Sequence, residues 1–142
     1  MRSRAIVLYD HDCGFCRWTL ALLLRWDRGH RLWPAAIEGP VGERWLAAMP
    51  VAERLASWHL VEQGGAVSSA GRAVAPLSSY LPAGSPLGRL PLRVVEPAYR
   101  FVAGHRSAFS RFVPGRWVAA ATQRVRARER EAPPAWAESD PR

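Results

Sequence analysis

The feature that most constrains this chain is a pair of cysteines, two residues apart, at the point where its hydrophobic pattern changes period. Residues 5–9 form a continuous apolar run with Ile6 and Val7 inside it, the pattern of a buried strand. Asp10-His11-Asp12 breaks the run, and Cys13-Gly14-Phe15-Cys16 follows. From Cys16 onward the spacing is helical. Cys16, Leu20, Leu23 and Leu24 share one face, Arg17, Arg25 and Arg28 lie elsewhere, and Gly29 is a stop signal. A strand that runs at once into a helix opened by Cys-X-X-Cys predicts a thioredoxin-like domain.

The rest of the chain fits an α/β fold: a small mixed sheet flanked by helices, with additional C-terminal helices. Residues 31–36 read as a second strand, and Pro34 marks either a sheet edge or the end of the strand. The first strand–helix–strand unit is then a right-handed parallel crossover. Residues 40–49 predict a helix with Pro40 in its first turn. Residues 57–61 and 66–68 predict a hairpin around Glu62-Gln63-Gly64-Gly65. A helix capped by Ser68 or Ser69 should run towards Leu81, kinked at Pro76. Residues 83–86 read as a loop, and Pro91 opens a helix reaching Gly104 with Pro97 inside it. The expected organisation is a thioredoxin-like domain over residues 1–113, then an Arg/Ala-rich helical extension and disordered tail over residues 114–142.

The spacing carries specific chemistry. Two residues between cysteines at the first turn of a helix bring their sulfurs within disulfide reach. The first sulfur faces the unpaired N–H groups and positive dipole end of that turn, which favour thiolate. Thiolate is the attacking species in disulfide exchange. Cys13 is therefore the expected nucleophile, and Cys16, one turn further and on the apolar face, the expected resolving thiol. Asp10 and Asp12 oppose a further negative charge, whereas Arg17 and a protonated His11 favour it. Asp12 is placed to cap the helix. Asp10 has two readings that sequence leaves open: a proton acceptor for Cys16, or a turn-former. His59, flanked by Trp58 and Leu60, reads as a core or edge histidine.

Two alternatives stay open: cysteines that merely pack, and a metal site. His11, Cys13 and Cys16 would offer three ligands to zinc. A fourth would have to come from His30, His59, His105 or a carboxylate, and none has a matching spacing. The redox reading needs no cofactor and no metal, and its partner is a disulfide-bearing protein or small thiol.

Composition closes off other classes. Two cysteines exclude a disulfide scaffold and an all-cysteine zinc or ordinary iron–sulfur site within one chain. All twenty basic residues are arginine, so no Schiff-base or P-loop lysine exists. Of the net charge of +8, most lies late: residues 100–131 hold eight arginines against two glutamates. That charge suits a solvated helix, and no nucleic-acid motif accompanies it. Trp117 and Val118, near Arg116 and Arg124, leave open a peripheral contact with an anionic membrane surface or a non-enzymatic binding role. The apolar run that begins at Ala5 stops at Asp10, too short for a signal peptide, so a cytoplasmic protein is expected.

Residues 6–16 resemble the opening of the DCC family of predicted thiol-disulfide oxidoreductases, whose Asp-X-X-Cys-X-X-Cys motif is matched by Asp10, Cys13 and Cys16. Ser68-Ser69-Ala70-Gly71-Arg72-Ala73 is similar to the family's segment after the hairpin. Residues 91–112, with Tyr99, Arg106 and Phe112, are similar to its last helical region. The resemblance covers residues 4–113 and implies a thioredoxin-like fold with those three motif residues at its site. Two departures stand out. His11 occupies the position where the family usually has glycine, which would strain the chain if that position needed positive φ. Ala56-Ser57-Trp58 occupies the neighbourhood where thioredoxin-like enzymes carry a cis-proline.

Overall fold

A computed structural model describes residues 3–82 and 86–141. Strand β1 (Ala5–Tyr9) leads through residues 10–13 into helix α1 (Gly14–Trp26) and back to strand β2 (Leu32–Ala36). Helices α2 (Pro40–Trp45) and α3 (Val51–Arg54) precede the hairpin of β3 (His59–Val61) and β4 (Val67–Ser69). A 3-10 turn (Ala70–Ala73), α4 (Val74–Ser78), α5 (Leu92–Gly104), α6 (Arg106–Ser110) and α7 (Gly115–Glu129) follow. The sheet order is β2-β1-β3-β4, with β1 parallel to β2 and the other two pairs antiparallel. This mixed four-stranded sheet flanked by helices is a thioredoxin-like α/β fold.

β1 is apolar throughout because both of its faces are covered. Ala5, Val7 and Tyr9 pack with Leu20 and Leu24 of α1, Leu77 of α4, and Ala121 and Val125 of α7. Ile6 and Leu8 face the other layer, where Trp33, Ala35, Trp45, Leu46 and Val61 meet Ala137. Each of the leucine, isoleucine and valine side chains among them contributes roughly 1.5–3 kcal/mol by leaving water. Pro34 lies on β2 opposite Val7 of β1, and β2 is an edge strand, where a proline is tolerated.

Several local expectations shift. The helix after the cysteines ends at Trp26, not at Gly29. Asp27 ends it by turning the chain: its carboxylate accepts the N–H groups of Arg31 (3.1 Å) and Leu32 (2.9 Å). The left-handed residue of that turn is His30, at φ 50°. The helix expected over residues 40–49 is shorter, α2 ending at Trp45, and α3 follows it over residues 51–54, for which no helix was expected. The one expected from Ser69 towards Leu81 becomes a 3-10 turn and a short α4, because Ala70 takes φ 53° at the strand exit. Gly71 next to it lets α5 come close: a Cβ there would meet Cα of Glu96 at 2.9 Å. Of the expected loop at residues 83–86, residues 83–85 lie outside the described residues, and Pro86 begins a 3-10 turn.

The C-terminal segment, expected to be an extension with a disordered tail, packs on both layers. α7 lies against α1, and its Arg128 is buried with Asp27 at 2.8 Å. The same guanidinium donates to the carbonyls of Leu32 (3.2 Å) and Leu24 (3.3 Å). Trp136 meets Trp45 edge to face at 5.6 Å, and Trp45 Nε1 donates to the Ala137 carbonyl at 3.0 Å.

Candidate active site

The two sulfurs stand where β1 hands over to α1. Cys13 is the N-cap residue, in extended conformation, and its Sγ accepts the N–H of Cys16 at 3.3 Å. The Cys16 thiol lies 2.6 Å from the Cys13 sulfur and donates to it. Both side chains are half-buried free thiols. The Cys16 thiol hydrogen bond holds the Cys13 pKa down at about 6. Burial opposes this, the backbone N–H of Cys16 and the positive charge of Arg106 assist, and Asp10 opposes. Cys16 moves strongly upward, because it donates to Cys13, is more buried and faces the charge on its partner. One proton thus belongs to the pair, and it resides on Cys16.

Gly14 and Phe15 between the cysteines are positioned by the C-terminal helices. Val118 of α7 lies over Gly14, where a Cβ would meet Val118 Cγ1 at 3.3 Å. Phe15 stacks on Phe109 of α6 at 5.9 Å, and Phe109 meets Phe101 of α5 edge to face. The thiol pair therefore sits under a cover built from α5, α6 and the start of α7.

The remaining expected residues are distributed unevenly. Asp10 is mostly buried; its carboxylate accepts the Asp12 N–H at 3.0 Å and stands 3.9 Å from Arg106. Asp12 does not cap α1, since Cys13 takes that position; its exposed carboxylate instead faces His11 Nδ1 at 3.4 Å. His11 is exposed and has negative φ, so histidine there causes no backbone strain. Arg17 turns back to donate to the His11 carbonyl, and the cation that acts on the sulfurs is Arg106. His59 is buried and bonded at both nitrogens, to Ser69 Oγ (2.6 Å) and the Arg54 carbonyl (2.8 Å). Burial lowers its pKa, so it is a neutral core histidine.

Among the described residues, the group of three potential metal ligands that comes together is Asp10, Asp12 and Glu38, not His11, Cys13 and Cys16. No cis peptide occurs among them either; Ser57 and Trp58 stand in that neighbourhood with trans bonds. A cavity of about 290 Å³ lies between α1, the residue 55–58 segment and α5. Cys16 forms part of its wall, Leu20, Leu23, Leu77 and Val102 line it, and Asp10 and Arg106 reach it. Sequence reasoning noted Arg106 and Tyr99 only as part of a resemblance. Nothing in their local pattern marks them, because the fold brings them to the cysteines from some ninety residues away.

A dithiol at a helix N-terminus on a mixed sheet of this order defines the class: a thioredoxin-like protein with a redox-type Cys-X-X-Cys pair. The chain matches the family model for DCC1-like thiol-disulfide oxidoreductases over residues 7–112, and it belongs to that family. No curated protein and no solved structure matches it. Among the described residues, no helix is long and apolar enough to cross a membrane.

Proposed function

We propose that the chain catalyses thiol–disulfide exchange, with Cys13 as nucleophile and Cys16 as resolving thiol. The observation that carries this reading is the geometry of the pair: the Cys13 sulfur sits at the N-cap of α1, accepts the N–H of Cys16 at 3.3 Å and has the Cys16 thiol 2.6 Å away, an arrangement that favours thiolate on Cys13. Cys13 thiolate attacks one sulfur of a substrate disulfide. The substrate S–S bond breaks, a mixed disulfide forms, and the released thiolate takes up a proton. Cys16 then loses its proton and attacks Cys13 Sγ. The second substrate sulfur leaves as thiol, and Cys13–Cys16 becomes a disulfide. Two electrons pass from the dithiol to the substrate. Asp10, which reaches the same cavity wall as Cys16, serves as the acceptor for the Cys16 proton, and Arg106 stabilises negative charge on the sulfurs. The partner is a disulfide-bearing protein or small disulfide.

The test is reduction of 2-hydroxyethyl disulfide under a thiol-regenerating couple. Cys13→Ser should abolish turnover, and Cys16→Ser should accumulate a mixed disulfide visible by mass spectrometry. Unchanged turnover in Cys13→Ser would refute the assignment.

A further inference from the structure

On the exchange reading above, the cavity beside the dithiol is where the flank of a substrate disulfide would lie. Its wall is mostly apolar; the exceptions are Cys16, Thr19, Ser57, the two tyrosines Tyr9 and Tyr99, and the Asp10–Arg106 pair, whose opposite charges stand 3.9 Å apart. That pairing leaves no unbalanced charge to select an ionic ligand. Its rim is open to solvent, since Leu55 and Val102 are 38 % and 36 % exposed. Cys16 lies in the wall and the Cys13 sulfur is 2.6 Å from it. A substrate sulfur bonded to Cys13, about 2.05 Å further on, is therefore within about 5 Å of the Cys16 sulfur that forms part of that wall.

We propose that this cavity is a specificity pocket for a large apolar side chain, such as leucine, methionine or phenylalanine, flanking the cysteine of a disulfide-bearing polypeptide. Its size fits. A cavity of roughly 150 Å³ accepts benzene, so about 290 Å³ takes a leucyl or phenyl group together with the carbons that connect it. Its chemistry fits as well, because a mostly apolar wall rewards apolar surface and its cation already faces Asp10, which would repel an aspartate side chain. Ser57 and Trp58 help to line it, in the segment where the chain departs from the cis-proline pattern.

The test uses the full chain and short peptides whose cysteine is disulfide-bonded to a chromogenic thiol, with alanine, leucine, phenylalanine or aspartate beside it. Leucine and phenylalanine peptides should exceed alanine in kcat/KM by about tenfold or more, the discrimination an apolar pocket supplies. Aspartate should fall below alanine. Val102→Trp, which fills the mouth from an exposed position, should bring the leucine-to-alanine ratio close to one. Thr19→Trp on the same rim is a second variant should the first fail to fold. Wild-type protein that reduces 2-hydroxyethyl disulfide but treats leucine and alanine peptides alike overturns the pocket and leaves the exchange reading standing. If no disulfide is reduced, the exchange reading fails and calorimetry decides on the pocket. S-methylated leucine peptide must then bind about tenfold tighter than its alanine counterpart, with Val102→Trp or Thr19→Trp erasing the difference, and equal affinities overturn the pocket.

Discussion

Replacing Cys16 with alanine removes the hydrogen bond that contributes most to the ionisation of Cys13. With that bond the Cys13 thiol titrates at about 6, so at pH 7 it is about nine-tenths thiolate. A midpoint two pH units higher would leave about a tenth as much thiolate, but the more basic thiolate would be about eightfold more nucleophilic at a Brønsted slope of about 0.45. The two effects nearly cancel, so an alkylation rate at pH 7 alone would mislead. The midpoint of the pH–rate profile is the quantity that separates them, read by iodoacetamide labelling and by thiolate absorbance in the ultraviolet. Wild-type protein should show a midpoint near 6 and Cys16→Ala one more than a pH unit higher, with a faster plateau in alkali. The backbone N–H of Cys16 and the charge of Arg106 remain in the variant, so part of the depression should persist. Superimposable profiles for the two proteins would refute the shared-proton argument. Stability follows the same titration. An unfolded cysteine ionises near 8.5. From about pH 6 up to that point the unfolded chain binds more protons at Cys13, so the reduced protein gains stability as pH rises. Beyond it the raised Cys16 reverses the sign, because the native state then holds the extra proton. Denaturant midpoints of the reduced protein should therefore peak in mildly alkaline buffer, and in Cys16→Ala the decline should begin only at higher pH, where the buried Tyr9 and Tyr80, also raised, take over.

Arg106 and Asp10 act on Cys13 with opposite sign, so Arg106→Gln should raise the alkylation midpoint and Asp10→Asn should lower it. Asp10→Asn should in addition slow the resolution step in single-turnover traces, and equal resolution rates would remove Asp10 as proton acceptor. Arg128→Met strands the buried Asp27 carboxylate; loss of one partner of a buried pair costs about 3–5 kcal/mol. Thermal unfolding should then move down by roughly 10 °C or more. A drop of only a degree or two would mean that water replaces the guanidinium.

The parts legible in the sequence are those whose cause is local. β1 and α1 show in their own periodicities, the hairpin in Gly64-Gly65, and the two sulfurs in their spacing and their place at the joint. What stayed hidden arises from distant contacts. Ala70 carries no mark of a left-handed residue; it adopts that conformation because β4 must turn sharply beneath α5. Asp12 looks like a cap in sequence, but Cys13 takes the cap position with its own sulfur. Arg17 sits next to the motif and acts elsewhere, whereas Arg106 lies far along the chain and reaches it. The residues after Val113 read as an Arg/Ala-rich extension and a disordered tail because the buried ones, Ala121, Val125, Arg128, Pro134 and Ala137, are few and widely spaced.

The Asp27–Arg128 contact also has a consequence for biosynthesis. Its two halves are one hundred and one residues apart, so a ribosome presents the acidic half long before the basic half emerges. During that interval the far end of the helix that opens at Cys13 lacks its clasp, and the nascent chain exposes a carboxylate bound for the interior. The clasp therefore waits on α7, and Gly14 between the reactive sulfurs gains Val118 as its neighbour only once that helix has emerged.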